Sequence, residues 1–146
     1  MEPNTLPTLP DGTIISPSYR RAEKSIVRAL VPSCLLVVPE SEKQAYSALH
    51  GPENVVAIPD ENDGVIGRKA NACLELFEDG ATFAMVDDDF LGFRHVKDRE
   101  RVKDSEAILE AMIDLVQGSD IVLAGWNISQ DPIKANDYAP FSLTKP

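Results

Sequence analysis

In Thr82-Phe-Ala-Met-Val-Asp-Asp-Asp89 a short apolar run passes directly into three consecutive aspartates. Such a run is typical of a buried strand in a parallel sheet. Adjacent carboxylates repel one another, and a cation relieves that cost. Side chains alternate along an extended chain, so Asp87 and Asp89 point the same way, about 6.6 Å apart, while Asp88 points elsewhere. We therefore predict that Asp87 and Asp89 face one hard divalent cation or its waters. An acidic turn that merely ends the strand is the alternative.

Apolar runs and helical periods alternate along the rest of the chain. Strands are predicted at Thr13–Ser16, Cys34–Val38, Val55–Ile58, Thr82–Val86 and Ile121–Ala124. Helices are predicted from the apolar periods Ala22/Ile26/Ala29/Leu30, Ala45/Ala48/Leu49, Ile66/Ala70/Cys73/Leu74/Phe77 and Ile108/Ala111/Met112/Leu115. Ser41 and Gln44 form a capping-box pattern before the second of these helices. The alternation predicts an α/β fold, a single three-layer domain around a mainly parallel sheet.

Length and composition limit the broad class of protein. The 146 residues are enough for one domain with its own core. We divide them into an irregular lead-in (1–12), the α/β domain (13–124) and a polar C-terminal segment (125–146). The net charge of −10 argues against a surface that binds nucleic acid mainly by neutralising phosphates, although a local basic groove is compatible with it.

Cysteine usage and hydropathy indicate the compartment. Cys34 and Cys73 each lie in an apolar segment and form no metal-binding pair, so we expect two buried thiols and a reducing, cytoplasmic environment. No apolar stretch approaches the roughly 20 residues of a membrane span. We expect no membrane association.

Several classes of phosphate-binding enzyme are excluded or disfavoured because the sequence lacks their characteristic motifs. Gly64-Val-Ile-Gly67-Arg68-Lys69 is not a P-loop. A receiver domain or haloacid-type phosphatase would carry its nucleophilic aspartate after the first strand, where Pro17-Ser18-Tyr19 stands instead. A nucleotidyltransferase of similar topology would place a glycine-rich loop there, yet no glycine occurs between Gly12 and Gly51.

Three segments resemble the metal-dependent GT-A glycosyltransferases, which use nucleotide-sugar donors and have a Rossmann-related fold. They are Ile15-Ser-Pro-Ser-Tyr-Arg-Arg-Ala-Glu23, Gly67-Arg-Lys-Ala-Asn71 and Phe83-Ala-Met-Val-Asp-Asp-Asp-Phe90. Within that group, the ending Asp-Asp-Asp-Phe-Leu-Gly-Phe93 is most similar to phage and TET-associated glycosyltransferases that modify 5-hydroxymethylpyrimidines in DNA. The resemblance covers residues 13 to about 93.

The resemblance implies a role for each candidate residue near the aspartates. Asp89 would be the direct ligand of a Mn²⁺ or Mg²⁺ that bridges the donor diphosphate, and Asp87 would reach either the ribose or the metal through water. Asp88 would face sugar or ribose hydroxyls. Arg68 and Asn71, three residues apart on one helix flank, would meet a phosphate and a sugar hydroxyl.

Other candidates follow the remaining strands. Tyr19 offers a ring for stacking on uracil, and Arg20 a planar fork suited to phosphate. Glu40 and Asp60, each just past a strand and a proline, could bind the base or ribose. The fold usually lines its acceptor side where Trp126 and Asn127 stand.

Three other basic residues are expected to take no part in the donor site. Lys69 is predicted to be a surface residue on the far side of its helix from Arg68. His95 is expected to be solvated, and His50 to end a helix.

The sequence therefore predicts a metal-dependent glycosyltransferase that moves a sugar from a nucleotide-sugar donor, a UDP-sugar by preference, to a hydroxyl acceptor. The acceptor suggested by the narrower resemblance is 5-hydroxymethylpyrimidine in DNA. An inactive GT-A-like binding domain and a metal-dependent nucleotidyltransferase or phosphohydrolase are the alternatives, and no catalytic base is identified.

Overall fold

The computed structural model describes residues 6–95 and 98–125. Its four strands are β1 (Ile14–Pro17), β2 (Leu35–Pro39), β3 (Val55–Ile58) and β4 (Ala84–Met85). They form one sheet of order β3-β2-β1-β4 in which every pair is parallel. Ile15 of β1 is in register with Leu35 on one side and Met85 on the other. The predicted α/β class with a parallel sheet is confirmed.

Helices cover both faces of this sheet. They are α1 (Val27–Leu30), α2 (Lys43–His50), α3 (Ile66–Leu74) and α4 (Ser105–Gln117). One core cluster packs α1, α2 and α4 against residues such as Ile14, Leu36 and Val38. The other packs α3 against Ile15 and Val37. Neighbouring strand residues thus point to opposite cores, which explains why these strands are continuous apolar runs.

The strand predictions are confirmed for the first four runs, with shifts of one to two residues at their ends. The fifth is wrong. Residues 121–125 contain no strand, and Val122 and Leu123 are almost fully exposed. An apolar run becomes a strand only where a neighbouring strand can pair with it, and here the run lies along an open groove beside β4 and α4.

The helical faces were predicted less accurately than the strands. In α2 the predicted apolar face is exposed, and Tyr46 is the buried residue. The expected capping box is absent, since no side chain caps α2 and the turn Glu40–Glu42 precedes it. In α3, Ala72 and Cys73 are buried while Ile66 and Leu74 are exposed. Short helices with few large apolar residues leave the apolar period ambiguous by about one residue.

Two connections also differ from their predictions. The first predicted helix is reduced to the single turn of α1, because residues 21–25 form a tight turn with Lys24 N and Ser25 N donating to Arg21 O. The charges of segment 94–103 predict a solvated loop, but Arg94 and Arg101 form an antiparallel bridge. The helix predicted from about Ser105 is confirmed, with Asp104 accepting a capping hydrogen bond from Ala107 N.

No helix in the described part of the chain has the length and apolar character of a membrane span.

The strand order positions a site. The chain forms β1, β2 and β3 in sequence and then returns to the opposite side of β1 to form β4. The connections after β1 and after β4 therefore diverge. Ligands in parallel α/β sheets bind in the crevice that such a reversal opens at the carboxyl ends of the strands.

Candidate active site

Polar residues follow all four strands at this edge. Ser18 comes after β1, Glu40 after β2, Asp60 after β3 and Asp87 shortly after β4. Because the strands are parallel, their carboxyl ends lie along the same edge of the sheet. The sheet therefore brings four segments that were chosen separately in the sequence to one side of the domain.

The three aspartates alternate in exposure, but they do not continue an extended strand as predicted, because Asp88 and Asp89 lie in a turn after β4. Asp87 and Asp89 are exposed, whereas Asp88 is buried with 7% of its surface accessible. Phe90 N donates to Asp87 O, which turns the chain after the triplet. Two carboxylates thus face outward, and the middle one faces the protein.

Both oxygens of the buried carboxylate are engaged. Ser18 Oγ donates to Asp88 Oδ2, and Arg21 Nη1 lies 3.1 Å from Asp88 Oδ1. These contacts join the end of β4 to the segment after β1. The predicted role of Asp88 toward sugar or ribose hydroxyls stays a prediction. In that role the carboxylate would have to bind a hydroxyl while it also contacts Ser18 and Arg21.

A buried tyrosine completes this network. Tyr46 OH lies 2.7 Å from Ser18 Oγ and accepts a 3.0 Å hydrogen bond from Arg21 N. Burial raises the pKa of Tyr46, and this effect outweighs the lowering by its hydrogen bonds with Ser18 and the Arg21 backbone. The phenol therefore stays neutral and links α2 to both strand ends. Sequence reasoning missed Tyr46, although a single aromatic residue among small and polar neighbours in α2 is a usable signal for a buried position.

Arg21 is the cation nearest the aspartates. Its Nη1 lies 3.2 Å from Asp89 Oδ2 as well as 3.1 Å from Asp88 Oδ1. One guanidinium thus contacts a buried and an exposed carboxylate. Sequence reasoning named Arg20 instead, because the choice between adjacent arginines depends on a backbone turn.

That turn occurs at Arg20, which has a left-handed φ of 52°. Its N–H donates to Glu42 Oε2 at 2.8 Å, and its guanidinium carbon lies 4.8 Å from the centre of the Tyr19 ring. Lys69 Nζ lies 5.6 Å from the same centre. Tyr19 is two-fifths exposed, so its ring has accessible surface at the site and two neighbouring cations.

The prediction that Lys69 is a surface residue is wrong. Its Nζ donates to Ser18 O at 2.6 Å and to Asp63 Oδ1 at 2.8 Å. The Lys69 and Asp63 side chains are only 12% and 8% exposed. The hydrogen bond to Ser18 O joins α3 to the segment after β1, and the ion pair with Asp63 joins α3 to the loop that precedes it. The error arose because α3 is turned by about one residue from its predicted orientation, which brings the lysine to the sheet edge.

The remaining candidates lie near this edge with weaker contacts. Arg68 and Asn71 are exposed on α3, and Arg68 Nη1 makes a long 3.5 Å contact with Glu61 O. Asp60 Oδ1 accepts from Ser41 N at 3.0 Å, and Glu40 pairs with Lys43 at 3.6 Å. Their predicted roles toward a ligand stay predictions.

The two histidines and the acceptor-side residues complete the set. His50 ends α2 as predicted, with Nε2 2.7 Å from Ala22 O. His95 is exposed. Trp126 and Asn127 lie outside the described residues.

The outward-facing carboxylates are the residues suited to a metal ion. Among residues 6–95 and 98–125, no three His, Cys, Asp or Glu side chains come together to hold one by themselves. Asp87 and Asp89 could supply two oxygen ligands, and a hard divalent cation can complete its shell with phosphate oxygens and water. This donor set fits a cation that binds together with a phosphate-bearing ligand.

A family comparison agrees with this arrangement. Residues 13–142 match the family described as TET-Associated Glycosyltransferase. The chain belongs to this family. The match covers most of the sequence, including every residue of the site described above. Comparisons with curated proteins and with solved structures gave no significant match.

Membership decides between the interpretations left open by the sequence. The family match indicates that the chain is a glycosyltransferase. The alternatives of an inactive binding domain and of a nucleotidyltransferase are therefore not supported. The predicted family resemblance is confirmed. In this glycosyltransferase the crevice between the ends of β1 and β4 is the candidate active site.

Proposed function

We propose that this glycosyltransferase binds a UDP-sugar across the carboxyl ends of β1 and β4 and transfers the sugar to 5-hydroxymethylpyrimidine in DNA. We further propose that Asp87 and Asp89 hold a Mn²⁺ or Mg²⁺ with the donor. The family description supports glycosyl transfer and associates it with TET chemistry on DNA bases. The observation that carries the donor site is the pair of exposed aspartates, Asp87 and Asp89, at the strand-order reversal, where Arg21 contacts Asp89.

The protein side of the mechanism follows from the charges at this edge. A bound divalent cation would stabilise the negative charge of the departing nucleoside diphosphate. Arg68 would bind a phosphate from the exposed flank of α3, and Arg20 would do so from the turn after β1. These cations compensate charge on the diphosphate without transferring a proton.

Orientation of the nucleoside falls to the neighbouring segments. Tyr19 would present its accessible ring face to the uracil, while Glu40 and Asp60 would accept hydrogen bonds from base or ribose. Asn71 would bind a sugar hydroxyl. The hydrogen bond from Lys69 to Ser18 O holds α3 against the Tyr19 segment, and the ion pair with Asp63 holds the lysine in place.

The donor proposal is tested by thermal melts with Mn²⁺, UDP and both together. Because a ligand that binds only the native state stabilises it, the wild type should melt higher with Mn²⁺ and UDP than with either alone. Metal and nucleotide should each tighten the other's binding by the same factor. Asp89→Asn should remove the metal effect, and Asp79→Asn, an equal charge change in an exposed turn, should retain it. The donor proposal is falsified if the wild type shows no shift, or if Asp89→Asn responds as the wild type does.

The acceptor proposal needs a separate measurement. Labelled sugar from UDP-glucose and related donors should be incorporated into duplexes that contain 5-hydroxymethylcytosine or 5-hydroxymethyluracil. Matched duplexes without the hydroxyl are the control, because they offer no attacking oxygen. Release of UDP without incorporation into either modified duplex would leave the donor proposal standing and reject this acceptor.

A further inference from the structure

Positive charge is concentrated in one short segment just after the aspartates. Residues 94–103 contain five lysines and arginines and two acidic residues, a net charge of +3 in a chain of net charge −10. The segment thus contrasts with the rest of the protein, which is strongly acidic. A local concentration of this kind attracts polyanions even where the whole molecule would repel them.

The backbone folds this segment back on itself. Arg94 and Arg101 pair in an antiparallel bridge, His95 N donates to Glu100 O, and Val102 N donates to Phe93 O. We call residues 93–95 and 98–103, the part of this segment that the structure describes, the basic hairpin. Like charges directly opposite each other across two strands are destabilising. The pairing of Arg94 with Arg101 therefore places two positive charges close together. An anion bound between them would relieve their repulsion.

The basic side chains of the hairpin have no acidic partners in the described part of the chain. Arg94, Arg101 and Lys103 are exposed, and no salt bridge there involves them or Arg99. Arg94 Nη1 donates only to a carbonyl oxygen, that of Arg99. By contrast, Arg21 and Lys69 at the candidate active site are paired with carboxylates. The hairpin therefore presents cations whose charge is not compensated within the described residues.

The base of the hairpin is fixed to the core close to the aspartates. Phe90 and Phe93 pack edge to face, with ring centres 5.0 Å apart, against the core cluster that contains α4. Phe93 N donates to Ser105 Oγ at 3.2 Å. Arg94 is five positions after Asp89, a span of at most about 18 Å. A polyanion held by the hairpin therefore lies within reach of the candidate active site.

We propose that the basic hairpin binds the phosphodiester backbone of the duplex DNA acceptor and so holds the target base near Asp87 and Asp89. This inference rests on the proposed function, since it assigns a docking surface for that acceptor. A duplex carries about one charge per 1.7 Å of its axis, so several phosphates can meet the hairpin cations together. A nucleoside diphosphate offers only two phosphates and has cations of its own at the site. Binding to DNA in general is expected to be weak, because the rest of the surface is acidic.

The test measures binding of an unmodified duplex by fluorescence anisotropy over a range of salt concentrations. Arg94→Gln with Arg101→Gln should weaken binding at least about tenfold at low salt. It should also reduce the slope of log affinity against log salt by about two. The control is Lys24→Gln with Lys43→Gln, which removes the same charge outside the hairpin and should change the slope far less. Arg94→Lys with Arg101→Lys keeps the charge and should restore most of the binding.

Two further results separate this inference from the proposed function. The glutamine variant should bind UDP with Mn²⁺ as the wild type does and should melt at a similar temperature, because the hairpin is assigned to the acceptor alone. Equal loss of DNA binding in the glutamine and control variants would overturn the hairpin assignment, as would wild-type DNA binding in the glutamine variant. Both outcomes are independent of whether sugar is transferred, which decides the proposed function.

Discussion

The guanidinium of Arg21 lies 3.1 Å from the carboxylate of Asp88 and reaches Asp89 as well, at 3.2 Å. Three successive aspartates predict a cation that offsets their repulsion. The guanidinium of Arg21 already supplies part of this positive charge. Ser18 adds a hydrogen bond to the buried carboxylate. Arg21 and Ser18 therefore compensate part of the charge of the acidic segment, and a cation held by Asp89 would have to compete with Arg21.

Replacement of Arg21 should separate these two roles. Arg21→Gln should lower the free energy of unfolding without metal by about 1–2 kcal/mol, because Asp88 loses a charged partner while solvent screens the two-fifths-exposed guanidinium. The same variant should bind Mn²⁺ more tightly, since the competing cation is gone. Denaturant unfolding with and without Mn²⁺ measures both effects. Lys24→Gln, which removes a charge that has no carboxylate partner among the described residues, should change neither as much; equal changes would reject the competition.

The hydroxyl of Tyr46 should matter for stability more than that of Tyr19. Tyr46→Phe leaves Ser18 Oγ and Arg21 N without their phenolic partner, at a cost of about 1–3 kcal/mol. Tyr19→Phe should change stability by less than about 0.5 kcal/mol, because its ring lies partly exposed at the surface. Urea unfolding of the two matched variants checks this difference. Similar losses in both would show that the buried network contributes little.

The ion pair between Lys69 and Asp63 should behave as a coupled unit. Either Lys69→Met or Asp63→Asn alone leaves one group nearly buried without its charge partner and should cost about 3–5 kcal/mol. The double variant should be more stable than the sum of the single losses predicts, because neither charge then remains unpaired. A double-mutant cycle by chemical denaturation measures this coupling. Additive losses would mean that the two groups do not interact across the 2.8 Å contact.

The outcome at Lys69 shows how far the sequence could predict this site. The strands were predictable because β2 and β3 are buried on both faces and so are continuous apolar runs. The exposure of Asp87 and Asp89 agrees with the prediction, although Asp88 and Asp89 lie in a turn and not on the extended strand end from which it was argued. Lys69, however, contacts Ser18, a residue 51 positions away, and depends on how α3 is rotated. No local pattern encodes that rotation, and the same limit applies to the contacts of Arg21, which depend on the backbone turn at Arg20.

Arg68 offers a test of donor binding with little structural cost. Its side chain is exposed and makes only one long contact, so Arg68→Ala should unfold as the wild type does. If it contacts the diphosphate, UDP binding in the presence of Mn²⁺ should weaken about 10- to 100-fold, the equivalent of one charged hydrogen bond. Calorimetric titration measures the affinity. Lys43→Ala, another exposed cation near the sheet edge, is the control. A loss of stability with unchanged UDP affinity would assign Arg68 to structure.

The two buried thiols make a prediction about alkaline pH. Burial raises the pKa of Cys34 to about 12 and that of Cys73 to about 11, against 9.0 for an exposed thiol. Above pH 9 the unfolded chain releases these protons while the native thiols retain them, so ionisation favours unfolding. Their contribution to stability should be complete below pH 9 and decline as the pH rises toward 11–12. Denaturant unfolding of the wild type and of Cys34→Ala with Cys73→Ala, from pH 7 to 11, compares the slopes. The double variant should lose less stability per pH unit above 9, even if its cavities lower stability at every pH. Equal slopes, or rapid alkylation of the native thiols by iodoacetamide at pH 8, would show that the thiols are not protected by burial.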